Sequence, residues 1–125
     1  MGSKNSDLSF YGVRNDGPEV LVVRDGPASV RRLQLPELES HEVRHSPSGF
    51  EWGYYGSGPA ELARAILVTA FPDDPIVRRP ACYQHFKQDV VAELPHEFRL
   101  TLTEIRAWRA RWDHRESARR LHHAS

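Results

Sequence analysis

Two turn sequences divide the first part of the chain into three short runs of strand-forming residues. The turns are Asn-Asp-Gly-Pro at residues 15–18 and Asp-Gly-Pro at residues 25–27. Glycine, asparagine and aspartate tolerate the positive φ of a tight reversal, and proline fixes the first torsion of a turn. The three runs, residues 8–14, 19–24 and 29–35, therefore predict an antiparallel meander with one buried face.

Prolines and capping residues predict three helices after the meander. The first helix is expected to start with Gly58 as N-cap and Pro59 as its first residue, and to stop before Pro72. Apolar residues at helical spacing predict a second helix over residues 80–94. A Thr-x-x-Glu capping box at residues 101–104 predicts the start of a third helix.

Together these elements predict one α+β domain over residues 8–112, a three- to four-strand antiparallel meander with three helices packed on one face. Residues 50–54 are the candidate fourth strand, and residues 98–100 are expected to be a short extended link. Residues 36–48 are polar and rich in turn formers, which predicts a surface connection. The predicted flanking segments are a disordered N-terminus at residues 1–7 and a polar, Arg- and His-rich helical extension at residues 113–125.

Charge and cysteine content exclude several classes of protein. Seventeen Lys and Arg balance seventeen Asp and Glu, so no overall charge favours nucleic acid or a membrane surface. Cys82 is the sole cysteine, which excludes an internal disulfide and fits a reducing compartment. The longest apolar run, residues 62–71, is too short to span a bilayer. His41 and His45 lack a second ligand pair, so no metal site is predicted. Taken together, these observations predict a cytoplasmic protein with no cofactor and no membrane contact.

The most unusual stretch is residues 49–59, where four aromatic residues and four glycines fall among eleven positions. Glycines let the backbone turn sharply between large rings, and a Gly-Ser-Gly-Pro helix start leaves amide donors that suit an anion. Glu61 is expected to reach back to those amides. In the alternative interpretation, the rings alternate inward as a buried strand and the glycines only permit a tight corner. The candidate binding residues here are Phe50, Trp52, Tyr54, Tyr55, Gly56, Ser57 and Gly58.

The string Phe-Glu-Trp-Gly-Tyr-Tyr-Gly-Ser-Gly-Pro-Ala at residues 50–60 resembles a domain family of unknown function, made of small bacterial and phage proteins. Residues 83–87 and 90–95 continue the resemblance, and residues 11–14 and 105–108 match loosely. The resemblance implies no activity. It does imply a setting in phages or mobile elements, where small proteins often modify host machinery.

Tyr83 and Lys87 lie one helical turn apart in the second predicted helix. Such a pair places a phenol beside an ammonium group, which would suit a bound phosphate. In the alternative interpretation, Tyr83 packs in the core and Lys87 lies along it with its amine in water.

The C-terminal residues 106–125 carry the one local charge bias, with six Arg against two acidic residues. An arginine-rich helix can follow a phosphate backbone, although it is equally typical of a solvated helix face. The candidate nucleic-acid contacts are Arg109, Arg115, Arg119 and Arg120.

These observations favour a small non-enzymatic binding or regulatory protein that acts on a protein partner. A neutral chain makes a protein partner more plausible than nucleic acid. The alternatives are a phosphate- or nucleotide-binding enzyme, using Gly56–Gly58 with Tyr83 and Lys87, and a DNA-binding accessory protein, using the arginine-rich helix.

Overall fold

The computed structural model describes residues 8–24, 29–39, 42, 44 and 49–124. The predicted disorder of residues 1–7, and the histidines at positions 41 and 45, lie outside the described residues. Within the described part, the elements in chain order are β1 (Leu8–Arg14), β2 (Pro18–Arg24), β3 (Ser29–Arg32), α1 (Ser57–Ala70), α2 (Pro80–Asp89), β4 (Phe98–Thr101) and α3 (Leu102–Ala124). Short 3₁₀ turns at Pro75–Arg78 and Val91–Glu93 flank α2.

The strands form one antiparallel sheet in the order β3-β2-β1-β4. Phe10 faces Val22 on one side and Leu100 on the other, and all three side chains are buried. They share one core with apolar side chains of the three helices. Residues between them point to the opposite face, where Leu21 and Val23 are half-buried. The predicted α+β fold, with a meander and helices on one face, is confirmed.

The fourth strand is not the predicted one. The predicted strand at residues 50–54 is wrong because Gly53 has a φ of 88°, which breaks an extended run. The strand is instead β4, where only a link was expected. β4 fits beside β1 because Gly12 leaves room for a ring, since a Cβ there would lie 2.1 Å from the Phe98 side chain.

Several element boundaries differ from the predictions. Helix α1 starts at Ser57 with Gly56 as N-cap, two residues earlier than expected. Gly58 has no Cβ to clash with the ring of the following proline, so it can adopt a helical conformation in the first turn of α1. Helix α2 ends at Asp89 rather than at residue 94. Two consecutive β-branched valines follow Asp89 directly, and such residues have a lower helix propensity. Strand β3 ends at Arg32 rather than residue 35.

Helix α3 begins with the predicted capping box. The Glu104 amide donates to Oγ1 of Thr101 at 3.2 Å, and the Thr101 amide donates to Oε1 of Glu104 at 2.9 Å. The apolar residues Leu102, Ile105, Trp108 and Trp112 recur at helical spacing and are buried in the core. From Asp113 to Leu121 the side chains are exposed, apart from Glu116, which is mostly buried.

Candidate functional site

Trp52 anchors the glycine- and aromatic-rich segment to the domain. Its side chain is buried, and its Nε1 donates to the carbonyl oxygens of Pro95 and His96 at 3.0 and 3.1 Å. Its ring meets Phe98 edge to face, with 5.1 Å between ring centroids. The Arg14 guanidinium lies over the Trp52 ring, 4.1 Å from its centroid. These contacts hold the Trp52 ring in place, which fixes the adjoining backbone.

Arg14 also joins strand β1 to this segment through Glu51. Its Nη2 and Nη1 donate to the two carboxylate oxygens of Glu51 at 2.9 and 3.3 Å, a two-pronged pair. The hydrogen bond from Arg14 lowers the pKa of the Glu51 carboxyl, against an opposing effect of partial burial. Arg14 Nε donates to the carbonyl oxygen of His96 at 3.1 Å, so one guanidinium holds two segments.

The glycines of the segment allow other parts of the same chain to approach its backbone closely. Gly53 adopts its positive φ while its amide donates to the carbonyl oxygen of Val91 at 3.0 Å. A Cβ at Gly58 would lie 2.7 Å from the Cβ of Glu51. A Cβ at Gly56 would lie 2.7 Å from the Tyr54 ring. The glycines therefore build a compact corner, as both interpretations of the sequence required.

The four aromatic rings of the corner have different environments. Trp52 is buried and Phe50 is half-buried, whereas Tyr54 and Tyr55 are 49% and 63% exposed. The alternative interpretation, in which Phe50, Trp52 and Tyr54 all alternate inward, is therefore wrong for Tyr54. The corner presents two adjacent tyrosines to solvent on an anchored backbone.

Helix α1 starts directly after these tyrosines. Its first turn has no side-chain cap, and its first intrahelical bond runs from the Ala60 amide to the Gly56 carbonyl oxygen at 3.1 Å. In the described structure the amides of Ser57 and Gly58 have no acceptor, and Pro59 has no amide hydrogen. The predicted capping by Glu61 is wrong, because this carboxylate bonds to Arg64 at 2.7 Å instead.

The second group of predicted site residues lies on α2. Tyr83 is 4% exposed, and burial raises the pKa of its phenol. Lys87, one turn further along, is half-buried and forms no ion pair with a described residue. Tyr83 thus packs in the core as its alternative interpretation stated, and its ring is not on the surface beside Tyr54 and Tyr55.

A cluster of buried charges was missed by the sequence reasoning. Glu61 and Arg64, on the same face of α1, are both fully buried, and the Glu42 side chain is 4% exposed. Residue 42 was expected in a surface connection, which is wrong for its side chain. A Glu-x-x-Arg pair among apolar helix residues was the available signal, since i, i+3 charges meet on a helix.

Most of the candidate nucleic-acid arginines are engaged within the domain. Arg109 pairs with Asp74 and Asp113, and Arg115 pairs with Asp89 at 3.2 Å. In the same way, Arg119 pairs with Glu116 at 2.9 Å. Arg120 is exposed and has no ion pair among the described residues. Three of the four predicted phosphate contacts therefore already have carboxylate partners.

Other classes of site find little support in the described chain. No group of three or more His, Cys, Asp or Glu side chains is placed there to hold a metal. Burial raises the pKa of the Cys82 thiol to about 12, so the thiolate that a cysteine nucleophile needs is disfavoured. None of the described helices has both the length and the apolar character needed to cross a bilayer.

Comparison with known proteins gives one result. The model of a family of unknown function matches residues 10–111, which is most of the chain. That range includes the Arg14–Glu51 pair, the aromatic corner and the buried charges. No curated protein and no solved structure matches the chain.

Proposed function

Because this chain belongs to that family of unknown function, DUF6166, we propose a role from its geometry alone: a small non-enzymatic binding protein that docks a protein partner at Tyr54 and Tyr55. The supporting observation is the exposure of two adjacent tyrosines, at 49% and 63%, on a backbone fixed by Trp52. We place this protein in the cytoplasm, and its phage or mobile-element setting rests on the resemblance of residues 50–60.

Tyrosine is well suited to such a surface. Its ring offers a large contact area and its hydroxyl one hydrogen bond, while only two side-chain torsions are lost on binding. The anchored corner has little backbone entropy left to lose when a partner docks. The adjacent amide of Ser57, an exposed residue, can donate to an acceptor group on the partner.

The two alternative functions have weaker support. A phosphate- or nucleotide-binding enzyme would need Tyr83 beside Gly56–Gly58, but the phenol is buried against the charges of Arg64 and Glu61. A DNA-binding accessory role would need Arg109, Arg115 and Arg119 to leave their carboxylate partners. Arg120 forms no ion pair with a described residue, so it alone of the four candidates could contact a phosphate without breaking one.

Site-specific photo-crosslinking, carried out in the cells that naturally make this protein, tests the proposal. A benzophenone amino acid at position 55 should yield one discrete adduct with a protein partner, whereas the same probe at Leu121, which is 74% exposed, should yield none. Untagged wild-type protein should suppress the adduct by competition.

A matched variant identifies the contact residues. Tyr54→Ala/Tyr55→Ala should fold normally, because exposed side chains contribute little to stability. It should fail to compete for the adduct, whereas Leu121→Ala should compete as well as wild type. Equal competition by the double-tyrosine variant, with its circular dichroism unchanged, would refute the proposed site.

A further inference from the structure

The four-stranded sheet has an outer face that is separate from the core. Side chains alternate along a strand, so the neighbours of the buried Phe10 and Val22 point away from the face on which the described helices pack. The strand register gives the outer face ten side chains, which are Ser9, Tyr11, Val13, Glu19, Leu21, Val23, Val30, Arg32, Arg99 and Thr101. Its apolar members belong neither to the buried core nor to the half-buried residues packed against that core.

The centre of the outer face is apolar and partly accessible. Tyr11 on β1 lies beside Leu21 on β2, and Val13 and Val23 extend this pair along the two strands in opposite directions. All four side chains are half-buried, and Val30 at the edge of the sheet is 62% exposed. A contiguous apolar surface of this kind is typical of an interaction site.

The charged side chains of the outer face are divided between the two sides of β1. Arg99 lies on β4, and Glu19 lies on β2 at the other side. Arg99 donates from Nε to the Tyr11 hydroxyl at 2.8 Å and has no carboxylate partner among the described residues. Oε2 of Glu19 pairs with Arg32, whereas its Oε1 has no partner in the described part of the chain. Each side of β1 therefore keeps an unused group of opposite charge.

This arrangement is complementary to a second copy of itself. A twofold axis parallel to β1 and above Tyr11 lays β4 of one copy over β2 of the other. Arg99 of each copy then lies above the partner's Leu21 and within reach of the partner's Glu19, two residues away. Sheets that stack face to face keep their strands nearly aligned, as this axis requires. A closed dimer needs such a surface, because one patch serves both copies.

The size of the outer face indicates how strong such a contact can be. Its ten side chains, at about 4.8 by 6.8 Å of sheet each, cover a flat area of about 330 Å² per copy. The accessible area of projecting side chains is larger than this footprint. Specific interfaces bury roughly 1,200–2,000 Å² in total, and weak ones bury less. We therefore expect a weak dimer that exchanges with monomer.

We propose that the chain forms a symmetric homodimer through the outer face of its sheet. Tyr11 and Leu21 lie at the centre of the interface, and Arg99 of each copy pairs with the partner's Glu19. Tyrosine and arginine are both enriched in protein interfaces. The outer face shares no residue with the tyrosine corner, so this proposal and the proposed function can fail separately.

A charge-swap experiment tests the dimer. Sedimentation velocity over about 1–500 µM should show wild type moving from monomer towards dimer as its concentration rises. Arg99→Glu and Glu19→Arg should each weaken self-association at least about tenfold, because like charges then oppose each other. An equimolar mixture of the two variants should dimerise again, since both contacts of the mixed dimer join opposite charges.

The matched control is Arg31→Glu. Arg31 is an exposed arginine of the same sheet, but it pairs with Val22 and so lies on the opposite face. This variant should associate like wild type, and circular dichroism should show that all the variants fold. Should Glu19→Arg not fold, Glu19→Gln takes its place and should also associate more weakly than wild type.

Several results would overturn the homodimer. These are a wild type that stays monomeric over the whole range, undiminished association of folded Arg99→Glu, and equal weakening by Arg31→Glu. Failure of the mixture of folded charge-swap variants to regain dimer would do the same.

Discussion

The indole Nε1 of Trp112 donates a hydrogen bond to Nδ1 of His85 at 2.8 Å, joining α3 to α2 near the point where α3 leaves the core. An indole N–H can only donate, so His85 must accept at Nδ1 and carry its own proton on Nε2. Trp112 stacks on Trp108 with 6.1 Å between ring centroids, so this bond also orients the tryptophan pair.

His85→Leu should destabilise the protein by about 1–2 kcal/mol, because it leaves the mostly buried Trp112 N–H without an acceptor. We expect the melting temperature to fall by roughly 3–8 °C, measured by circular dichroism. His114→Leu, on the exposed side of α3, is the control and should leave the melting temperature nearly unchanged. Equal melting of the two variants would contradict the role of this bond.

Gly12→Ala should destabilise the sheet by about 1–3 kcal/mol, because its Cβ would meet the Phe98 ring at 2.1 Å and force the ring to move. Urea denaturation of Gly12→Ala, Phe98→Leu and the double variant measures the coupling. The double variant should lose less stability than the sum of the two single losses. Strict additivity would show that the two residues do not compete for space.

Acidification should remove the stabilisation from the Arg14–Glu51 pair. The carboxyl pKa is lowered in the folded state from 4.5, chiefly by the Arg14 hydrogen bond. The stabilisation is therefore fully present above the unfolded value and is lost as the pH falls through the folded value. Urea denaturation across this range should show the stability gap between wild type and Glu51→Gln closing at low pH. A gap independent of pH would contradict the pairing.

Cys82 should not react with a thiol reagent such as Ellman's reagent in the native protein at mildly alkaline pH. Burial raises the pKa of its thiol to about 12, and the thiolate is the reactive form. The same thiol should react fully once guanidinium unfolds the chain, which provides the internal control. Rapid stoichiometric labelling of native protein would show that the residue is accessible.

Local chemistry made the meander, the three helices and the capping box at Thr101 predictable. Turn formers at residues 15–18, prolines at helix starts and the Thr-x-x-Glu pattern act over a few residues, so one sequence contains the whole signal. The fourth strand was not predictable in this way. Phe98–Thr101 is a strand because Gly12, far away in the chain, makes room for it.

The candidate site was only partly predictable for the same reason. The glycines and rings of residues 49–59 predicted a corner, but which rings are buried depends on remote groups. Trp52 is inside because the carbonyl oxygens of Pro95 and His96 receive its N–H and Arg14 covers its ring, whereas Tyr54 has no such partners among the described residues. Glu42 likewise lies 3.7 Å from Nη1 of the buried Arg64, and no local pattern encodes that contact.

The pairing of β1 with β4 joins Ser9 to Thr101, so the sheet needs residues from nearly opposite ends of the domain. During synthesis, one edge of the first hairpin has no partner strand until residues 98–101 have left the ribosome. Truncation before Phe98 would leave that edge permanently open to other chains, which makes premature termination in this protein a route to aggregation rather than to a smaller working domain.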